Sequence, residues 1–160
     1  MPATIILVDD HPIFRQGLKR IIEDLPDIQL VAEAESGDSA LAQLRHLKPD
    51  LALIDLAMPG MDGLQVLEAG LELQPELRVI IITSYNDRAY LDRALALGAR
   101  AYLVKDSAAD HLVACIDQVM AGNTYISPTM GRSEVALPSL EEDPARLLDR
   151  RTERGRKGRD

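Results

Sequence analysis

Five polar residues stand directly after short apolar runs, and their types suit phosphoryl chemistry. Asp9 and Asp10 follow TIILV, Asp55 follows LALI, Thr83 follows VIII and Lys105 follows AYLV. Three carboxylates brought together in a partly desolvated cleft repel one another strongly. A hard divalent cation relieves that repulsion, and Mg2+, which takes oxygen ligands and keeps several waters, fits. The Thr83 hydroxyl can donate a hydrogen bond, and Lys105 brings a mobile point charge suited to a phosphate. A carboxylate beside a metal, an ammonium and a hydroxyl can act as a nucleophile toward phosphorus. The protein's work in such a transfer is mostly positioning and charge neutralisation. Asp55, alone at a central strand end, is the acceptor candidate, while the adjacent Asp9 and Asp10 share the metal. Taken singly, each has a plainer reading. Asp9-Asp10 would be a solvated pair, Asp55 a cap on the turn before Pro59, Lys105 a surface charge, and Thr83 a partner of a neighbouring carbonyl.

For these residues to meet, the apolar runs must lie side by side. The pattern predicts strands over 4–8, 28–34, 51–54, 79–82 and 101–104, alternating with helices over 12–25, 36–47, 64–73, 87–97 and 108–121. Pro12 suits the first helical position, and the core stripe of that helix is read as Ile13, Leu18, Ile21, Ile22 and Leu25. In the second helix Ala40, Leu41, Leu44 and Leu47 share a face. The segment 56–63 (LAMPGMDG) is a loop by its Pro and Gly content, and Gly98 is a left-handed helix cap. Strands apolar along their whole length need cover on both faces, hence a parallel sheet between helices. Crossover handedness leaves few topologies, and a flavodoxin-like, doubly wound α/β fold, with five parallel strands in the order 2-1-3-4-5, fits this size. Ligands bind such sheets at the carboxyl ends of the strands, where all five residues fall.

Composition narrows the function. The chain has 160 residues, 18 Lys+Arg against 26 Asp+Glu, and a net charge of −8. Through residue 130 there are 10 basic and 19 acidic residues, so this part lacks the basic face of a nucleic-acid binder. Cys115 is the only cysteine, which excludes a disulfide framework and a cysteine-rich zinc site. It is expected to pack among Leu112, Val113, Ile116 and Val119. No apolar run approaches the ~18 residues needed to span a bilayer, and with no basic residue before Arg15 and no long apolar stretch after Met1 no secretory signal is expected. A soluble, cytoplasmic protein without membrane contact is expected. His11, His46 and His111 show no ligand-like spacing and read as surface or helix-terminal residues.

The segments ILVDDHPIFRQGL (6–18), LALIDLAMPGMDGLQVL (51–67), VIIITSY (79–85) and GARAYLVKD (98–106) resemble a two-component response regulator receiver domain. DDHPIFRQGL, with AGNTYISP (121–128), is similar to the NarL/FixJ or LuxR-type subfamily of DNA-binding regulators. The resemblance implies a CheY-like fold and a phosphoacceptor switch rather than an enzyme acting on other substrates. It implies that a sensor histidine kinase phosphorylates Asp55. Asp10, Asp55 and the backbone carbonyl of Ala57 would hold Mg2+, with Asp9 acting through bound water. Lys105 would contact the phosphoryl group, and Thr83 would turn inward to bond it. Tyr102 would be an aromatic switch moving with Thr83. Ala57 and Tyr85 occupy positions where the family tunes phosphate lifetime. Phosphorylation-promoted homodimers are implied too. Asp106 follows Lys105 where many members carry proline.

The receiver is assigned to 1–128, with 129–160 as a flexible linker or tail. In the subfamily such a linker leads to a helix-turn-helix domain, the only part expected to touch DNA. Beyond Leu148 no aliphatic or aromatic side chain remains, so 129–160 is expected to hold no complete domain of that kind. Two rivals share the sheet. A Mg2+-dependent phosphatase with an aspartyl nucleophile would need a second acid two residues on, where Ala57 stands. A pseudo-receiver would serve only as an interaction module, against the intact set of acids, Thr83 and Lys105.

Overall fold

Parallel pairing of apolar strands organises the molecule. The structure is a computed structural model that describes residues 2–128, and the compact unit they form ends at Ser127. The tail expected over 129–160 lies outside the described residues. The strands are β1 (Ala3–Val8), β2 (Ile28–Ala34), β3 (Leu51–Asp55), β4 (Arg78–Thr83), β5 (Ala101–Val104) and β6 (Tyr125–Ile126). Between them lie α1 (Pro12–Glu23), α2 (Gly37–Leu47), α3 (Gly63–Leu73), α4 (Arg88–Leu97) and α5 (Ala108–Met120), with a short 3-10 turn at Lys105–Ser107.

The sheet order is β2-β1-β3-β4-β5-β6, all parallel. The expected doubly wound order holds for the first five strands. A sixth strand is added to the expected five. Tyr125 N–H donates to Arg100 O at 3.0 Å and Ser127 N–H to Tyr102 O at 2.8 Å, so the chain after α5 satisfies the open edge of β5.

Side-chain alternation divides the strands between two helical layers. Ile5, Leu7, Leu53, Ile80, Ile82 and Leu103 bury one face against Leu18 and Ile22 of α1 and Leu112, Cys115, Ile116 and Val119 of α5. Helices α2, α3 and α4 pack on one another in sequence, and Leu44, Val66, Leu67 and Leu91 are buried there. Local chemistry sets the helix ends. Ser36 accepts from Ser39 N–H, Asp62 and Gln65 form a reciprocal capping box, and Gly98 closes α4 at φ 111°.

Three sequence expectations need correction. Ile13 is 87% exposed and does not belong to the core stripe of α1. It lies five residues before Leu18, off the i, i+4 face, and Phe14 takes that place against the core. Leu47, on the last turn of α2, is 44% exposed rather than aligned with Leu44. Val113 is likewise exposed, although Cys115 is fully buried as expected.

Candidate functional site

The chain winds one way from β1 to β2 and then returns to the other side of β1 for β3. That reversal opens a crevice beyond the ends of β1 and β3. Val8 pairs with Ile54, Asp55 with Ile82 and Thr83 with Val104, so the residues that follow share one rim. Asp9, Asp10, Asp55 and Lys105 converge there. Lys105 Nζ lies 3.2 Å from Asp9 Oδ2 and 3.3 Å from Asp55 Oδ2. It also sits 4.5 Å from the centre of the Phe14 ring, a cation–π contact that holds the ammonium over the acids.

Each carboxylate has its own restraint. Asp9 is fully buried; its Oδ1 accepts His11 N–H at 2.8 Å, and Arg15 donates to its carbonyl while bonding Glu33 Oε1 at 3.2 Å. Asp55 Oδ1 accepts Ala57 N–H at 3.2 Å. Asp10 is part-exposed. Asp9 Oδ2 and Asp10 Oδ1 are buried yet accept no hydrogen bond; the Lys105 ammonium near Asp9 Oδ2 attracts it by charge alone. Orphaned, converging carboxylate oxygens are a donor set that a hard divalent cation satisfies. The acidic cluster could therefore hold a metal.

Thr83 and Tyr102 form a second tier. The buried Thr83 hydroxyl oxygen accepts Tyr85 N–H at 3.0 Å. Tyr102, the aromatic switch that the resemblance implies, is fully buried here and donates from its hydroxyl to Tyr85 O at 3.4 Å. The Tyr85 backbone is thus a partner common to both. Burial pushes the Tyr102 hydroxyl above its ordinary pKa, so it stays protonated as a donor.

The Asp55 carboxyl is pushed up to about 6. Burial is the main cause, repulsion by Asp9 the next, and Lys105 and the Ala57 N–H pull the other way. The folded chain therefore keeps a proton that the unfolded chain loses near 3.8. Asp55's contribution to stability falls as pH rises between those values and is a full penalty above them, roughly 3 kcal/mol for a shift of about two units. Asp55→Asn is accordingly expected to stabilise the metal-free protein by about 2–3 kcal/mol at pH 8 and by nearly nothing below pH 4. Denaturant midpoints across that range check it; an Asn variant weaker than wild type at pH 8 would refute it.

A family model described as a response regulator receiver domain matches residues 5–117, a stretch that contains every acid of the rim as well as Thr83, Tyr102 and Lys105. The chain belongs to that family. The Pseudomonas aeruginosa response regulator GacA is 35% identical over 137 residues, covering 86% of this chain and 64% of GacA. The Escherichia coli nitrate/nitrite response regulator protein NarL is 39% identical over 129 residues, covering 81% of this chain and 60% of NarL. A LuxR-family two-component response regulator from an Aurantimonas species has a TM-score of 0.80 at 33% identity, covering 86% of this chain and 100% of that one. This response regulator receiver domain thus has relatives of the NarL and LuxR type, and it spans under two thirds of GacA and NarL. Among the described residues, no helix is long and apolar enough to cross a membrane.

Two residues of the receiver escaped sequence reasoning. His11 is exposed at the N-cap of α1, as a surface or helix-terminal residue was expected to be, but the absence of ligand-like spacing hid that Nδ1 lies 3.2 Å from Asp9 Oδ1 and 3.3 Å from Asp10 Oδ1. Phe14, the seat of Lys105, was absent from the expected stripe. A strict i, i+4 count back from Leu18 and Ile22 would have found Phe14. Adjacency to two acids was the only sign at His11.

Proposed function

We propose that this receiver is a phosphorylation switch in which Asp55 accepts a phosphoryl group from a sensor histidine kinase. The observation that carries the reading is the meeting of Asp55 with Asp9 and Lys105 at one buried rim. One Asp55 oxygen forms a bond to phosphorus as the P–N bond of the donor phosphohistidine breaks, and the departing imidazole keeps the electron pair. Asp10, Asp55 and the Ala57 carbonyl would hold Mg2+, with Asp9 acting through water. Bound there, Mg2+ offsets the negative charge of the phosphoryl oxygens. Lys105, steadied by Phe14, adds a second cation to the same oxygens.

Thr83 carries the signal onward. Turning its hydroxyl toward a phosphoryl oxygen gives up the Tyr85 N–H, and the Tyr85 carbonyl is the acceptor for Tyr102. The new charge would thereby bias a two-state equilibrium whose second state presents a changed α4–β5–α5 face for homodimerisation. Ala57 offers no acid for turnover of outside substrates, which supports a self-directed phosphoacceptor over a phosphatase. Residues 1–128 act as the receiver in the cytoplasm and 129–160 as a linker, DNA contact belonging to an output domain of the LuxR type.

Mass spectrometry of the intact chain after incubation with acetyl phosphate and Mg2+ tests the reading. One added phosphoryl group, prevented by a chelator, is expected. No addition, or addition mapped away from Asp55, would sink it.

A further inference from the structure

The rim contains a donor that the phosphoacceptor reading leaves unused. His11 Nδ1 and one oxygen each from Asp9, Asp10 and Asp55 all lie within 4.8 Å of one another. The nitrogen stands 3.2, 3.3 and 3.6 Å from those three carboxylates. Neighbouring ligands around one ion with bonds of about 2.1 Å are about 3 Å apart, so small movements would bring this set onto a common centre. The fully buried Asp9 keeps an Oδ2 that accepts no hydrogen bond and has only the Lys105 ammonium, 3.2 Å away, to offset its charge.

The same ring nitrogen also faces a cation. Lys105 Nζ lies 3.2 Å from His11 Nδ1 as well as near Asp9 and Asp55, so the ammonium occupies the place of a cation among these donors. An ammonium donates to a lone pair on Nδ1, whereas Asp9 Oδ1, also 3.2 Å away, accepts from an N–H there; the tautomer with the proton on Nε2 is the one that can ligate. Asp9 Oδ1 already has the His11 backbone N–H at 2.8 Å and does not depend on the ring. The imidazole caps no backbone group of α1 and its side chain is 61% exposed, leaving it free to approach an ion.

We infer that His11 is a nitrogen ligand, through Nδ1, in the metal site of this receiver. The inference rests on the reading that these carboxylates bind a divalent cation. Mg2+ is hard and gains little from imidazole, whereas the divalent ions from Mn2+ to Zn2+ accept it readily. His11 therefore makes the rim receptive to first-row transition metals as well as to Mg2+, and links phosphoryl uptake to which metal is present.

Calorimetric titration of the full chain with Mg2+ and separately with Co2+, on wild type and His11→Ala, tests this. The variant is expected to lose Co2+ affinity by about tenfold or more and to keep Mg2+ affinity within about twofold. The visible band of bound Co2+ is expected to shift toward that of an all-oxygen site. Unchanged Co2+ affinity and spectrum in the variant would overturn the inference while leaving Mg2+ binding by the carboxylates intact. Equal weakening of both metals would overturn it too, since the ring would then only prop the acids. A wild-type chain that binds neither ion removes the carboxylate reading and the inference together.

Discussion

Asp55→Asn is expected to take up no phosphoryl group from acetyl phosphate, with the rate falling at least about 10³-fold. An amide is a poor nucleophile toward phosphorus, and no neighbour is placed to substitute. Asp9 is fully buried with one oxygen on the His11 N–H, and the carboxylates that Lys105 pairs with are Asp9 and Asp55, not Asp10. The variant is expected to be the more stable protein without metal, so lost uptake cannot be ascribed to unfolding. Intact-mass kinetics over hours decide it. Uptake within a few-fold of wild type would mean that another residue is the acceptor. Lys105→Met separates the roles further. Its uptake is expected to slow about 10²-fold, since one cation on the phosphoryl oxygens is gone, while Asp55 remains the modified residue.

Gly63→Ala should produce the largest loss of stability. Gly63 N–H closes the acceptor loop onto Leu56 O at 2.8 Å. A Cβ at Gly63 would fall 2.7 Å from the Leu56 Cα and closer still to the Asp55 carbonyl oxygen. These are backbone atoms of the strand end that carries the acceptor, and they cannot rotate away. We expect destabilisation of roughly 3 kcal/mol or more, together with slower phosphorylation, because relief of the clash displaces Asp55. Gly17→Ala is the natural contrast. It lies within α1 with open space around it, so it should stabilise by about 0.5–1 kcal/mol. Urea midpoints for the pair distinguish steric from helical effects; a Gly63→Ala midpoint equal to wild type would refute the packing argument.

Both predictions concern residues that differ in how readable they were. Asp55 stood out because it ends an apolar run, and such runs can only be central strands of a covered sheet. Parallel winding then forces strand ends to one rim, so Asp9, Asp10, Asp55 and Lys105 had to converge however their side chains turned. Gly63 looked like ordinary loop punctuation. Its close approach to Leu56 depends on how α3 lies against β3, which no local pattern encodes.

Much of the architecture was legible for the same reason. Strand–helix alternation and the buried face of α5 around Cys115 follow from periodicity and cover, while the order of the first five strands came with the flavodoxin-like topology that fits a chain of this size. The β6 edge was not, since a pair of residues carries too little pattern and only the exposed edge of β5 makes it a strand. Ile13 and Leu47 went astray because hydrophobic character alone does not tell which side of a helix meets the core at its first and last turns.

What the linear chain determined, then, is the acidic rim: residue types at strand ends, brought together by an obligatory parallel sheet. Tertiary packing alone decided the rest of the chemistry: the His11 ring turned onto the carboxylates, Lys105 seated on Phe14, and the Tyr85 backbone shared by Thr83 and Tyr102. Those are choices of side-chain rotamer and loop path, some between near neighbours such as His11 with Asp9 and some across the fold such as Lys105 with Phe14, and periodicity carries no information about them.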